Sequence, residues 1–281
     1  MSRRKKAKRK PIKTQTLFRW GAYLLIVSVP IVVLLIAFSY QPVQRIESAW
    51  TRTAAQTSEP AITTRPRQRV AAILDQVSAY NVNQQLIEDV RACLVGAGYG
   101  VEVFSGTQVT VDLYRKLPSR GYDVVILRVH STSTSEIGQG RVASGGPVFL
   151  LTGEPHNQLG YAYEQTMGRV RAVRIEAGTF FGIGPDFVAG SMEGTFPGTL
   201  IIIAGCESLA NKDLAKALIA RGASKVIGWS DSVGLEHNDK AIVSLTRSLF
   251  EKRLQVQEAI QATMNEVGKD PAFQSYLLSY P

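Results

Sequence analysis

Residues 20–40 run WGAYLLIVSVPIVVLLIAFSY without one charged side chain, and this stretch constrains the chain more than any other feature. At about 1.5 Å rise per residue, a helix of that length crosses a hydrocarbon core of about 30 Å. Pro30 bends such a helix without excluding a span. The flanking charges give the direction. Arg3, Arg4, Lys5, Lys6, Lys8, Arg9, Lys10, Lys13 and Arg19 precede the run with no acid among them. That excess predicts a cytoplasmic tail over 1–19, a membrane span over 20–40 and an extracytoplasmic remainder at the cell membrane. A cleavable leader has a shorter apolar centre of about 7–15 residues, so the weak small-residue site at Ala37 and Ser39 is expected to stay uncut. The tail also explains the formal charge of +9, because the other 23 Lys and Arg offset the 23 Asp and Glu. No nucleic-acid partner is expected; the lipid contact runs through residues 20–40.

Residues 41–67 are polar, contain Thr and Pro and lack periodicity, which predicts a linker. Beyond it a regular pattern begins. Short apolar strands are expected at 70–74, 101–104, 123–129, 200–204 and 225–229. Helices fall between them. Asn83 is placed to cap one whose apolar face is Leu86, Val90, Cys93 and Ala97; another spans 110–117 and is broken by Pro118. Asn211 caps a helix with Leu214, Ala217 and Leu218 inward, and Asn238 opens a longer one with Ile242, Leu245 and Leu249 on one face. A last helix carries Val256, Ile260, Met264 and Val267 before Pro271. Apolar strands alternating with helices predict a mostly parallel sheet covered on both faces, a three-layer α/β/α sandwich over 68–281. The Gly-rich stretch at about 140–198 breaks the pattern. Its β-like pieces at 148–151, 170–176 and 180–183 predict an insertion of hairpins.

In an open parallel sheet, functional groups gather beyond the carboxyl ends of the strands. The residues at those ends are Asp75, then His130, then Cys206, then Ser230 and Asp231. With neighbouring strands about 4.8 Å apart, His130 and Cys206 would share one crevice. A thiol beside an imidazole is a nucleophile and its base. Backbone N–H groups at the helix beginning near Asn211 are expected to stabilise the thiolate and a developing oxyanion. The other chemistry-bearing residues have plainer roles. Cys93 lies on the apolar face of a helix and reads as core. His156, beside Pro155, reads as a turn residue. Glu236, His237 and Asp239 cluster just before a helix start and read as capping and solvated groups, not as metal ligands. Gly96, Gly98 and Gly100 end a helix instead of following a strand, which is the wrong setting for a dinucleotide.

An apolar strand ending in His130-Ser131, followed by LIIIAGCES with Cys206-Glu207-Ser208, resembles the caspase-like cysteine peptidases, a group that includes caspases, gingipains, clostripain and the CHAT peptidases. The sequence NKDLAKALIARGASKVIGW after the cysteine is most similar to the CHAT and gingipain branch. The resemblance covers roughly residues 70–267, with the hairpin insertion poorly matched. It implies a Cys–His dyad with Cys206 as nucleophile and His130 as proton carrier, a peptide or protein substrate and no cofactor. In that family a Gly usually follows the histidine and lends its N–H to the oxyanion hole; here Ser131 stands there, with Glu207 in the loop after the nucleophile. A pocket for the residue before the scissile bond would be lined by Asp75, Trp229, Ser230 and Asp231. Two other readings stay open. A caspase-like domain without catalysis would serve as an extracytoplasmic binding or sensory module. An unrelated flavodoxin-like domain would hold Cys206 and His130 more than about one strand spacing apart.

Overall fold

The computed structural model describes residues 67–133 and 146–281. The basic tail over 1–19, the span over 20–40 and the linker up to residue 66 lie outside the described residues. Among the described residues, no helix is long and apolar enough to cross a membrane.

In chain order the strands are β1 (Arg69–Asp75), β2 (Tyr99–Ser105), β3 (Val124–Arg128), β4 (Ser131–Thr132), β5 (Phe149–Pro155), β6 (Val170–Ile175), β7 (Gly178–Ile183), β8 (Leu200–Ala204), β9 (Lys225–Trp229) and β10 (Leu277–Tyr280). The helices are α1 (Gln84–Gly96), α2 (Val111–Lys116), α3 (Ala162–Thr166), α4 (Pro185–Gly190), α5 (Asp213–Ala220), α6 (Leu235–Thr246) and α7 (Val256–Val267). Six strands form one sheet in the order β10-β9-β8-β3-β1-β2. All its pairings are parallel except that of the edge strand β10 with β9. The chain is therefore a mixed α/β protein with a mostly parallel sheet.

The central strands are apolar from end to end because both of their faces are covered. On one face, Ala71, Ile73, Val124, Ile126, Ile202 and Trp229 pack with Leu86 and Val90 of α1, Ile242 and Leu245 of α6, and Ile260 of α7. On the other face, Val125, Leu127, Ile201 and Ile203 pack with Tyr114 of α2, Phe187 of α4 and Leu214 of α5. Asn83 does cap α1, its side chain accepting the Leu86 N–H at 3.2 Å.

Strands β5, β6 and β7 join the short β4 in a separate antiparallel sheet of order β4-β5-β7-β6. Val148, Leu150, Val170, Phe181 and Ile183 from this region are buried in the same cluster as the central strands, so the inserted sheet belongs to the core. Three details differ from the sequence reading. Helix α6 begins at Leu235, ahead of Asn238, and its N-terminal Gly234 N–H donates to Asp270 Oδ2 at 2.9 Å. Strand β10 lies beyond the last expected element. Helix α5 begins at Asp213, with the Asn211 side chain accepting its N–H at 2.7 Å, and so stands seven residues past Cys206.

Candidate active site

Register decides what the strand ends bring together. Asp75 lies opposite Arg128 across β1 and β3, and Arg128 lies opposite Ala204 across β3 and β8. The Val129 N–H extends that ladder by donating to the Ala204 carbonyl at 3.3 Å. His130 and Cys206 follow at equivalent positions, each two residues beyond its strand. Between Ala204 and Cys206 the chain passes through Gly205, where a Cβ would stand 2.5 Å from the Val129 carbonyl oxygen and would also strike Ser131 Oγ. No residue but glycine fits that approach without displacing backbone.

The two reactive side chains sit in different surroundings. His130 is half-buried, and its backbone N–H donates to Gln76 Oε1 at 2.9 Å. Its ring stacks on Tyr80 with centroids 5.4 Å apart and planes inclined by 23°. Burial, and then the nearby Arg128 cation, hold the imidazole below the ordinary histidine range. The Cys206 thiol donates to the Val233 carbonyl at 3.5 Å. Burial pushes its pKa up, the Glu207 carboxylate adds to the rise, and backbone groups of Val233 and of Cys206 itself oppose it. The thiol and the imidazole are therefore both neutral near pH 7. For the imidazole to take the proton, the sulfur has to turn away from Val233. Helix α5, beginning at Asp213, stands too far along the chain from Cys206 to act as its first turn.

Both cysteines are free. Cys93 is buried, donates to Glu251 Oε1 at 3.0 Å and has its pKa pushed up to about 11 by burial and that carboxylate, so it is an inert core thiol.

The loop after Cys206 is fixed by Glu207. Its backbone is left-handed, at φ 55°, and its N–H donates to the Asp231 carbonyl at 3.0 Å. The Glu207 carboxylate accepts the Ser133 N–H at 2.8 Å together with the Ser133 hydroxyl, and on its other oxygen the Ser232 hydroxyl at 3.2 Å. One side chain thus joins the loops that follow β4, β8 and β9. Ser131 is buried, and its hydroxyl donates to the Cys206 carbonyl at 2.5 Å.

Two residues proposed to line a substrate pocket are committed elsewhere. Asp75 is 1 % exposed and forms a 2.8 Å ion pair with Arg128, while its other contacts cap the following turn. Arg128, also buried, grips Asp239 through two 2.8 Å bonds. The buried guanidinium demands two carboxylates, and Asp75 is one of them. Asp239 is accordingly part of the core of α6 and takes a further bond from Asn83 Nδ2 at 2.9 Å, whereas the sequence reading counted it among solvated groups. Trp229 is fully buried, with Nε1 donating to Asn238 Oδ1 at 2.7 Å. Ser230 and Asp231 remain at the sheet end. Ser230 exchanges hydrogen bonds with the Tyr276 backbone, and Asp231 is exposed. His156 bonds Gln165 and packs on Phe181, while His237 bonds the Gly268 carbonyl and leans on Trp229.

A cleft of about 290 Å³ opens at His130, lined by Tyr80, Ile175, Glu176 and Ala177. The last three are the tip between β6 and β7, so the inserted sheet supplies one wall. The sequence reading missed Gln76, Tyr80, Arg128, Ser133 and Ser232. One signal was present: a lone Arg at the end of an apolar strand requires an acid at the equivalent position next door, which is Asp75.

No family model matches the sequence, and none of the curated proteins matches it. Among solved structures, the chain is similar to the crystal structure of the Arg specific cysteine proteinase gingipain R, with a TM-score of 0.42 and 12% identity. The similarity covers 70% of this chain and 42% of that one, so the chain spans less than half the length of that protein.

Proposed function

We propose that this chain is a membrane-tethered cysteine endopeptidase of the caspase-like type, with Cys206 as nucleophile and His130 as proton carrier. The reading rests above all on one observation: the thiol and the imidazole follow adjacent parallel strands at equivalent positions. The tether is supported by the uncharged residues 20–40 and the basic tail before them.

The chemistry runs as two half-reactions. Sγ leaves the Val233 carbonyl, His130 takes its proton, and the sulfur attacks the peptide carbonyl carbon. The tetrahedral intermediate collapses as His130 returns the proton to the departing amine, leaving a thioester on Cys206. Water then adds with its proton passing to His130. The acid product departs as the thiol is restored.

A binding or sensory module is the second reading, favoured by the thiol's bond to Val233 and by Ser131 in place of the family's glycine. Incubation of the detergent-purified full-length chain with a diverse peptide library separates the two. The peptidase reading expects new peptide termini that vanish in Cys206→Ala and fall by about 10²–10⁴ in His130→Ala. Cleavage that persists in Cys206→Ala, or none in the wild type, favours the binding module.

A further inference from the structure

A general base needs its ring held in one orientation, and triad enzymes do this with a third hydrogen-bonded group. Among the described residues, no carboxylate or carbonyl bonds the ring nitrogens of His130. The turn after β1 supplies what holds the residue. Gln76, fully buried, ties the His130 main chain through Oε1, and Tyr80 covers one face of the imidazole. We propose that Gln76 and Tyr80 are positioning residues that fix the orientation of the His130 ring toward Cys206. This inference rests on the peptidase reading of the site.

The turn is built to hold both side chains still. Residues Gln76–Ala79 form a single 3₁₀ turn, with the Ser78 N–H donating to Asp75 Oδ1 at 3.2 Å and its hydroxyl to the Asp75 carbonyl at 2.7 Å. The Tyr80 N–H closes it by donating to the Val77 carbonyl at 3.1 Å. Arg128 secures both ends, with one nitrogen 2.8 Å from Asp75 Oδ1 and 3.3 Å from the Asn81 carbonyl. The ion pair that withdraws Asp75 from any substrate pocket thus anchors the turn that carries Gln76 and Tyr80. The Gln76 amide nitrogen is buried with no partner in hydrogen-bond geometry; burial pushes the Tyr80 hydroxyl well above the ordinary tyrosine range, and the nearby Gln76 amide opposes that rise only in part. A buried amide left half-satisfied is costly, and its retained bond is the one to His130. Tyr80 keeps 38 % of its surface exposed, at the cleft beside His130. A stacked ring there resists rotation of the imidazole without adding a charge.

The test uses the full-length chain with Tyr80→Ala, Tyr80→Phe, Gln76→Leu and His130→Ala. Three readouts apply: ring ¹⁵N shifts of His130, the Cys206 alkylation rate, and kcat separated from KM on a cleaved peptide. Tyr80→Ala and Gln76→Leu are expected to alter the His130 tautomer balance and to lower alkylation and kcat roughly tenfold at unchanged KM. Tyr80→Phe, which keeps the stack, is expected to restore all three to within about twofold. Unchanged His130 shifts in Tyr80→Ala and Gln76→Leu would overturn the proposal, and so would failure of Tyr80→Phe to rescue. If His130→Ala leaves alkylation unchanged, the peptidase reading falls by itself, and the ¹⁵N shifts still decide whether the two residues orient the ring.

Discussion

The Ser131 hydroxyl donates a 2.5 Å hydrogen bond to the carbonyl of Cys206, joining the residue after the histidine to the residue that carries the thiol. The close approach at Gly205 makes this contact possible, because no Cβ stands between the two loops. Ser131→Ala should cost about 1 kcal/mol of stability, the usual net value of such a bond. Chemical denaturation checks the figure. The alkylation rate of Cys206 should fall a few-fold at the same time, as the loop gains freedom.

Arg128 joins two buried carboxylates, and removing it strands both. Arg128→Met should destabilise the domain by about 3–5 kcal/mol, the cost of breaking a buried ion pair from one side. Arg128→Lys should also be destabilising, because an ammonium cannot reproduce the two parallel bonds to Asp239 and the third to Asp75. Melting temperatures of both variants test the point.

The sheet was largely legible in the sequence and its polar interior was not. The strands β8 and β9 fall where the apolar runs at 200–204 and 225–229 place them, because buried parallel strands leave an unbroken apolar signature bounded by turn residues. Short elements with little apolar pattern escaped. Strand β10 has four residues at an edge, and α3 buries no side chain. Asn238 reads as a cap because asparagine favours that position, yet its amide is used inside the core by Trp229. Asp75 and Trp229 read as pocket residues from their place at strand ends. Which of those ends faces inward depends on the partners, and Arg128 and Asn238 decide it. Tyr80 left no local signal, since the ring it stacks on lies 50 residues away in sequence.

Reactivity should follow the neutral state of the pair. Burial raises the thiol above its ordinary value of 9.0, and burial with Arg128 lowers the imidazole below 6.5. The imidazole is therefore uncharged at neutral pH and the thiol stays protonated there. Alkylation of Cys206 by iodoacetamide should climb continuously as pH rises past the ordinary thiol value. A plateau across neutral pH would instead indicate a thiolate–imidazolium pair.

Glu207 acts on that profile in two ways. Its carboxylate raises the Cys206 pKa and also ties Ser133 to Ser232. Glu207→Gln should move the alkylation inflection to lower pH while lowering peptide turnover about tenfold, as bonds to a charged group worth roughly 1.5–3 kcal/mol weaken. Parallel pH–rate profiles of alkylation and of turnover distinguish the electrostatic effect from the loss of loop order.

The central claim is that Cys206 is a nucleophile served by His130. Its most direct test is covalent labelling of the full-length chain by a peptidyl acyloxymethyl ketone, followed by intact mass and peptide mapping. A single adduct on Cys206, formed about 10²–10⁴ times more slowly in His130→Ala, is the predicted result. An adduct on Cys93, no adduct at all, or equal rates with and without the imidazole would contradict it.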